Sequence, residues 1–442
     1  MSIIHFSTEL TGGAGAFAKS IHLAMQRLGY ASFIVTRESN SLSNSVIIKP
    51  LTRLERSLRV RRLALMHRLG LIENKYALFG IENARIDCSD ILKSVGNSKP
   101  TVLVFYWVSY FINFKCIAEL RRTYPGIPFL FVCLDEGFLG GGCHYSWGCR
   151  GYEEACVNCP STSLHLRKRK IQIEMQERIR EIHKINPIVL YPTAAMARMG
   201  ERSAILKQFQ KEVIPLGAVS KQEQDECLAL GEGGSKESGA IKQKLTILVR
   251  SSSEYRKGSD LFVGAIKLLA AGNPNIRSQL RVISIGDATL ENSEIGNYVD
   301  HEFMGIVQRS QLMEIYGKID ALVVTSREDA GPLMINECVA LGKFAISTPV
   351  GVANDLLADA CHGIVVGAFT SEAICDALKS YCLQPREVVS TSELDRNRLT
   401  FEGYVGAMLE VIEKSQMIVE ESLVCMGTAN GAAGDHLGEV QR

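Results

Sequence analysis

The sequence of 442 residues has no excess of either charge. It contains 49 lysines and arginines against 48 aspartates and glutamates, so its net charge is +1. General nucleic-acid binding needs a basic face, and this balance argues against that class. The sequence also has no run of about 18 apolar residues, which a membrane-spanning helix requires. It begins without the basic segment and apolar run of a signal peptide. We therefore expect a cytoplasmic protein.

Little in the composition points to a disordered chain or a small disulfide-stapled scaffold. Hydrophobic residues make up 46% and charged residues 22% of the sequence, as in ordinary globular proteins. At roughly 150 residues per domain, two domains of about 200 residues each are expected. The 13 cysteines are an odd number in a chain too long to need disulfide bonds.

Short apolar segments alternate with helical segments in both halves of the chain. This rhythm is typical of a parallel, doubly wound sheet. We predict an α/β fold of two Rossmann-like α/β/α domains that face a central cleft. The predicted strands are residues 3–7, 31–36, 101–106, 129–134 and 187–191 in the first half, and 245–249, 280–285, 321–325 and 344–347 in the second.

The domain boundaries follow from changes in composition. Residues 220–244 are rich in glycine and charge and are predicted to be a linker. We assign residues 1–219 to the first domain, which would face the acceptor, and 245–385 to the second. We expect residues 386–424 to form a helical segment that returns toward the first domain, and residues 425–442 to form a frayed tail.

Residues 326–337 carry the strongest chemical signal. They follow an apolar strand and open a helix, so their backbone N–H groups and the helix N-terminus can bind an anion. Pro332 suits the first turn of a helix. Asp329 and Glu337 are eight residues apart, about two helical turns. A carboxylate there could bind the hydroxyls of a ribose while the turn holds phosphates. A capped helix with a solvated glutamate is an equally good reading of these residues alone.

This segment resembles the donor-binding motif of retaining GT-B glycosyltransferases, the group 1 or family 4 type. That motif is an acidic residue, seven others and a glutamate, positions held here by Asp329 and Glu337. The resemblance extends to Lys257-Gly258, where the lysine would neutralise the leaving nucleoside diphosphate. It covers most of residues 1–385.

The resemblance implies a set of site residues and no need for a catalytic metal. The implied catalytic residues are Lys257, Glu337, Asp135 and Arg250. The implied donor-binding residues are Gly12, Gly13, Gly15, Lys257, Asp329, Ala330, Gly331, Pro332, Leu333 and Glu337.

One part of the first half departs from the resemblance. In a subset of the family with a similar cysteine block, the preceding strand ends in His-Asp, and that histidine lies beside the reacting sugar. Here the pair is Leu134-Asp135, and a family tryptophan further on is Gly137. Either Asp135, Glu136 or Tyr106 takes over the role, or activity is altered or lost.

Four cysteines are clustered as C-x5-C-x6-C-x2-C, at Cys143, Cys149, Cys156 and Cys159. Four thiolates at this spacing could bind one structural Zn²⁺ in tetrahedral geometry, with His144 as a substitute ligand. Disulfide bonds and free thiols remain open alternatives.

Residues 51–71 contain six arginines among leucine, valine and methionine. This pattern predicts a basic amphipathic helix that could lie on anionic lipid at the inner face of the cytoplasmic membrane. Such contact suits an acceptor built on a lipid carrier, whereas the alternative is a solvated helix face.

The sequence thus predicts a retaining glycosyltransferase. It would move a sugar from a nucleotide-sugar donor to a saccharide or lipid-linked acceptor in surface polysaccharide or lipopolysaccharide synthesis. The main alternative is a catalytically silent homologue that binds a nucleotide sugar or a partner protein. A nicotinamide-dependent enzyme is a third class. It fits poorly, because the glycines at 12, 13 and 15 lack the G-x-G-x-x-G spacing and no acid ends the second strand around Thr36.

Overall fold

The protein is described by a computed structural model that covers residues 1–50, 52–78, 86–96, 99–234, 244–357, 362–383 and 393–431. Its strands are β1 Ser2–Phe6, β2 Ala31–Thr36, β3 Ser45–Ile47, β4 Val102–Phe105, β5 Phe129–Val132, β6 Ile188–Tyr191, β7 Lys211–Val213, β8 Leu245–Ser251, β9 Leu280–Gly286, β10 Asp300–Phe303, β11 Ala321–Val324, β12 Phe344–Ser347 and β13 Gly363–Val365. Its helices are α1 Gly12–Arg27, α2 Arg53–Arg68, α3 Cys88–Gly96, α4 Phe114–Thr123, α5 His165–Ile185, α6 Ala194–Arg202, α7 Lys221–Gly234, α8 Ser259–Gly272, α9 Ile276–Gln279, α10 Arg309–Lys318, α11 Leu333–Ala340, α12 Ala353–Leu356, α13 Ser371–Leu383, α14 Glu393–Arg398 and α15 Phe401–Gly431.

The strands form two parallel sheets of the doubly wound type. The first has the order β3-β2-β1-β4-β5-β6-β7 and the second β10-β9-β8-β11-β12-β13. Successive strand residues enter hydrophobic cores on opposite faces, as Leu103 and Val104 do in β4. Because the strand order reverses beside β1 and beside β8, ligand sites are expected at the carboxyl ends of these strands. The predicted fold class is confirmed.

Most predicted strands lie within two residues of the observed ones, but four strands were not predicted. These are β3, β7, β10 and β13, and each stands at the edge of its sheet. Edge strands are covered on fewer sides and therefore need no apolar run. All four residues of β10, for example, are only half-buried. The first helix begins at Gly12, which places the glycines in its first turn.

The predicted linker is partly helical. Its residues 221–234 form α7, which packs against α10. The buried side chain of Gln224 donates to the carbonyl oxygens of Ala340 (3.0 Å) and Arg396 (3.2 Å). These bonds tie the connection between the domains to the second domain, which composition alone did not indicate. Residues 235–243 of the predicted linker lie outside the described residues.

Helix α15 returns to the first domain and packs on α1. The rings of Phe17 and Tyr404 meet edge to face at 5.0 Å, and Arg27 pairs with Glu402 at 2.8 Å. The helix continues to Gly431, into the segment predicted to be a frayed tail, and residues 432–442 lie outside the described part. Among the described helices, none combines the length and hydropathy needed to cross a bilayer.

Candidate functional site

A cleft of about 350 Å³ lies between the two domains, at the carboxyl ends of their central strands. The loop after β1 forms one wall, and the loops after β8 and β11 form the other. The cleft brings together predicted residues that are far apart in sequence. The predicted residues that line it are Gly12, Gly13, Asp135, Arg250, Lys257, Asp329, Gly331, Pro332 and Leu333.

Lys257 is positioned by a short 3₁₀ turn, Tyr255–Lys257, that follows β8. The turn ends at Gly258, whose φ of +67° favours glycine. A Cβ atom at Gly258 would lie 1.9 Å from the carbonyl oxygen of Thr325, so a larger residue would displace the loop after β11. The Lys-Gly pair therefore has a structural reason: the glycine lets the lysine approach the second loop of the cleft closely.

The Lys257 ammonium forms an ion pair with Asp329, with 2.5 Å between Nζ and Oδ2. The side chains are only 12% and 10% exposed, so water screens the pair weakly. Burial lowers the pKa of Lys257, although Asp329 acts in the opposite direction. Burial also acts to raise the pKa of Asp329, but Lys257 and Arg256 outweigh it and hold that pKa below its ordinary value. The lowered pKa of Asp329 keeps its carboxylate ionised near neutral pH.

Two arginines add to the positive charge at this wall. Arg256 reaches Asp329 at 3.5 Å, and Arg250 lines the cleft from the end of β8. These three cations, which we call the cation cradle, outnumber the two carboxylates of the same wall, Asp329 and Glu254, and therefore suit an anion such as a diphosphate. Arg250 was the arginine predicted for this role, and Arg256 shares its location.

The glycine loop and the turn before α11 contribute unequally to the cleft. Gly12 and Gly13 face the cleft, and a Cβ atom on either would meet nothing within 4 Å. Gly15 lies behind them, where a Cβ atom would be 2.4 Å from the carbonyl oxygen of Glu9, so its role there is close packing. Ala330 likewise packs against the hydrophobic core of the first domain.

Glu337 lies in a neighbouring cavity of about 290 Å³, which adjoins the cleft at Leu333. It is buried, and burial raises its pKa, against the charge of Arg309. Its Oε1 pairs with the Arg309 guanidinium, and its Oε2 accepts from the Tyr316 hydroxyl at 2.8 Å. The structure thus places Glu337 one helical turn beyond the wall that carries Asp329.

Arg309 is a site residue that the sequence analysis missed. It also binds Glu223 at 2.7 Å and donates to the carbonyl oxygen of Ala218 at 2.7 Å. It therefore links Glu337 to the connection between the domains. No motif contains it, because the contact depends on how α10 packs beside α7 and α11.

Asp135 stands on the first-domain wall, three residues beyond Val132, where β5 ends. Its Oδ1 accepts the N–H of Gly137 at 2.8 Å, and its Oδ2 lies 2.6 Å from Nδ1 of His144. Leu134, which stands where the family has histidine, also lines the cleft. The imidazole beside this carboxylate thus comes from His144, nine positions further along the chain, in the cysteine-rich segment of residues 143–159.

The cysteine-rich segment also contacts the second domain. The Arg256 guanidinium lies 4.4 Å from the ring centroid of Tyr145, and the rings of Trp147 and Tyr255 stack at 5.9 Å. These contacts fall on the turn that carries Lys257. The segment therefore bridges the cleft next to Lys257. The spacing of its cysteines did not indicate this contact.

The four clustered cysteines line one small cavity, and all are free thiols in the structure. Burial raises the pKa of Cys143, and it raises the pKa of Cys156 to about 11. Zinc would have to displace these protons. No group of three or more His, Cys, Asp or Glu side chains is arranged to hold a metal within the ranges that the structure describes. Structural zinc therefore remains a prediction from the spacing.

Two Rossmann-like domains that face a cleft of this kind define the GT-B fold. Solved structures with this architecture agree. A trehalose-6-phosphate synthase from Burkholderia multivorans aligns with a TM-score of 0.61 at 13% identity, over 95% of this chain and all of that one. HepE from Anabaena, in complex with UDP and glucose, aligns with a TM-score of 0.57 at 11% identity, over 94% of this chain and all of that one.

The second domain matches a protein-family model. Residues 243–383 match the family model described as glycosyl transferases group 1. Over 390 residues, the chain is 23% identical to the putative colanic acid biosynthesis glycosyl transferase WcaC of Escherichia coli K12, covering 81% of this chain and 85% of that protein. The chain thus has the GT-B fold, and its second domain is similar to group 1 glycosyl transferases.

Proposed function

We propose that the protein transfers a sugar from a nucleotide-sugar donor to a hydroxyl of a saccharide or lipid-linked saccharide. The observation that carries the proposal is the cation cradle. Lys257 and Arg256 are held beside Asp329 in a partly closed cleft, opposite the open glycine loop of the other domain. A nucleoside diphosphate would balance the positive charge that remains on this wall after the cations pair with Asp329 and Glu254.

The proposed reaction retains the configuration at the anomeric carbon, as the family resemblance implies. A bond forms between the acceptor oxygen and the anomeric carbon, and the bond from that carbon to the diphosphate breaks. The leaving diphosphate takes the bonding electrons and the acceptor proton. The protein would then contribute position and charge rather than a nucleophile. Glu337, in the adjoining cavity, is proposed to bind the ribose, with Arg309 holding its carboxylate.

Surface polysaccharide or lipopolysaccharide synthesis is the proposed setting. The name of WcaC, to which most of the chain aligns, supports this setting. The complexes of HepE with UDP and with UDP-glucose support a nucleotide-sugar donor, because that protein shares the fold.

Donor binding is tested by thermal shift with UDP-, GDP- and ADP-sugars. We expect donors with one particular nucleotide base to raise the Tm. A donor at a hundredfold excess over its Kd should add about 2.7 kcal/mol to the free energy of unfolding. The Lys257→Ala variant should lose this shift. A wild-type protein stabilised by none of the donors would contradict the proposal. Donor binding without hydrolysis or transfer would instead favour the silent homologue.

Helix α2 supports a peripheral membrane contact. Leu54, Leu58, Leu65 and Leu69 recur on one face of the helix and its last turn. They are 67%, 56%, 58% and 62% exposed. Exposed leucines at this spacing, on a helix that also carries basic residues, suit insertion between anionic lipids.

Flotation with anionic liposomes tests this contact. Wild-type protein should float, and salt should weaken the binding because part of it is electrostatic. Leu58→Glu should lower the bound fraction severalfold, since a carboxylate would enter the apolar layer. Val60→Glu is the matched control, because Val60 is equally exposed on another face. Equal binding by all three proteins, or wild-type protein that stays with the unbound fraction, would rule the contact out.

A further inference from the structure

His144 is buried between the two domains' cleft and a crevice of the first domain, with 3% of its side chain exposed. Its backbone is held at both ends: its N–H donates to the carbonyl oxygen of Tyr76 at 3.1 Å, and its carbonyl oxygen accepts from the N–H of Glu136 at 3.3 Å. The imidazole therefore has a defined position relative to the turn that carries Asp135.

The hydrogen bonds around the ring decide its tautomer. Nδ1 lies 2.6 Å from Oδ2 of Asp135. An ionised carboxylate can only accept, so Nδ1 carries the proton and donates it. The indole N–H of Trp107 also points at Nδ1, at 3.2 Å, and could donate there only if Nδ1 carried no proton. The contact with Asp135 is shorter by 0.6 Å and therefore favours the proton on Nδ1. On the other side, Nε2 lies 3.0 Å from Oγ of Ser109 and accepts its hydroxyl proton. Ser109 and Asp135 thus fix the ring from opposite ends.

The space for this pair exists because residue 137 is a glycine. A Cβ atom at Gly137 would lie 2.9 Å from Oδ1 of Asp135 and 2.9 Å from Cε1 of His144. A larger side chain would push the two groups apart. Leu134 and Gly137, the two departures from the family pattern, are therefore linked. Leu134 removes the imidazole at position 134, and Gly137 leaves room for the imidazole of His144.

Asp135 keeps acceptor capacity toward the cleft. Each of its oxygens has one partner from the protein, and a carboxylate has about four lone-pair sites. Its side chain is 18% exposed, and it lines both the donor cleft and the crevice that contains Trp107 and Phe114. A sugar that approaches along the first domain would meet this carboxylate before it meets the cations of the second domain.

We propose that Asp135 accepts a hydrogen bond from the reacting hydroxyl of the acceptor sugar, and that His144 is its positioning residue. The pair supplies the imidazole that Leu134 lacks. This inference rests on the proposed transferase function. It adds no covalent step: the acceptor proton leaves with the diphosphate, and the carboxylate orients the hydroxyl toward the anomeric carbon.

Two replacements of His144 separate a positioning role of the imidazole from a role in filling space. Asparagine can place an N–H donor near the position of Nδ1, whereas phenylalanine fills the space without a donor. We expect His144→Phe to lower kcat for transfer on the order of 100-fold, because small displacements of a positioning group cost about that much. The KM for the donor and the rate of donor hydrolysis without acceptor should stay within threefold. His144→Asn should recover most of the transfer rate.

Glycine variants provide an independent readout. Gly137→Ala crowds the pair without removing a functional group and should resemble His144→Phe. Gly126→Ala is its control, because a Cβ atom there meets nothing within 4 Å. The inference is wrong if asparagine and phenylalanine at 144 are equally impaired, if donor hydrolysis falls in parallel with transfer, or if Gly137→Ala is as active as Gly126→Ala.

Nitrogen-15 NMR of the imidazole tests the arrangement without any activity assay. The wild-type ring should carry its proton on Nδ1, and Asp135→Asn should move it to Nε2, because an amide can donate to Nδ1. A wild-type ring protonated on Nε2 would overturn the positioning role even in an active transferase. Failure of the transferase proposal would show differently, as wild-type protein that neither binds nor turns over a nucleotide sugar.

Discussion

A Lys257→Ala variant is expected to lose transfer by at least about 10²–10³-fold, the effect of removing one preorganised charge from a transition state. The ammonium is held 2.5 Å from Asp329 in a site where both side chains are largely buried. Charge that develops on the leaving diphosphate would meet Lys257 without reorganisation of the site. Removal of the lysine also leaves Asp329 with Arg256 alone, so the cradle becomes less attractive to an anion.

Steady-state kinetics with the donor found by thermal shift measures this effect. Lys267→Ala is the matched control, because Lys267 is 42% exposed and pairs with Glu294 on the outer surface of the second domain. The control should keep wild-type kcat and KM. Wild-type turnover in Lys257→Ala would remove the lysine from the mechanism and with it the main support for the proposed donor site.

A Glu337→Ala variant is also expected to abolish detectable transfer, for two physical reasons. The ribose would lose its proposed carboxylate partner, and Arg309 and Tyr316 would both lose their contact. The Tyr316 hydroxyl keeps only a 3.4 Å contact with the carbonyl oxygen of Met334. Loss of a buried hydrogen bond to a charged group costs about 1.5–3 kcal/mol, so the free energy of unfolding should fall by a similar amount. Because Arg309 also holds Glu223 and Ala218, the connection between the domains should loosen.

Denaturant unfolding and transfer assays together separate these effects. Tyr316→Phe removes one hydrogen bond to Glu337 and keeps the carboxylate, so it should lower stability but retain transfer. Glu302→Ala, at an exposed pair with Arg281, should change neither property. If Glu337→Ala keeps full donor affinity and turnover, the ribose role is wrong and the residue only joins helices.

The second-domain wall of the cleft could be predicted well because its residues lie close together in sequence. Asp329, Gly331 and Pro332 belong to one turn, and Lys257 follows the neighbouring strand. In a parallel sheet the carboxyl ends of adjacent strands share an edge, so local motifs after two strands meet there. Gly15 and Ala330 show the limit of this reasoning, since motif membership did not tell a lining residue from a packing residue.

The partner of Asp135 on the first-domain wall and the contacts at the connection between the domains could not be predicted in the same way. His144 meets Asp135 only because the cysteine-rich segment folds back over the end of β5. Arg309 meets Glu337 only because α10 packs between α7 and α11. Neither pair has a fixed spacing, so no periodicity or motif connects its members.

The sequence by itself determined the two-domain α/β architecture, the positions of most strands along the chain and the segments that are proposed to bind the donor. It could do so because apolar runs, glycine turns and helix starts are local signals set by backbone and burial preferences. Only the tertiary structure decided which of those residues face the cleft, that Glu337 occupies an adjoining cavity, and that an imidazole returns to Asp135 from His144. Those outcomes depend on contacts between segments remote in sequence, where packing geometry rather than local preference fixes each side chain.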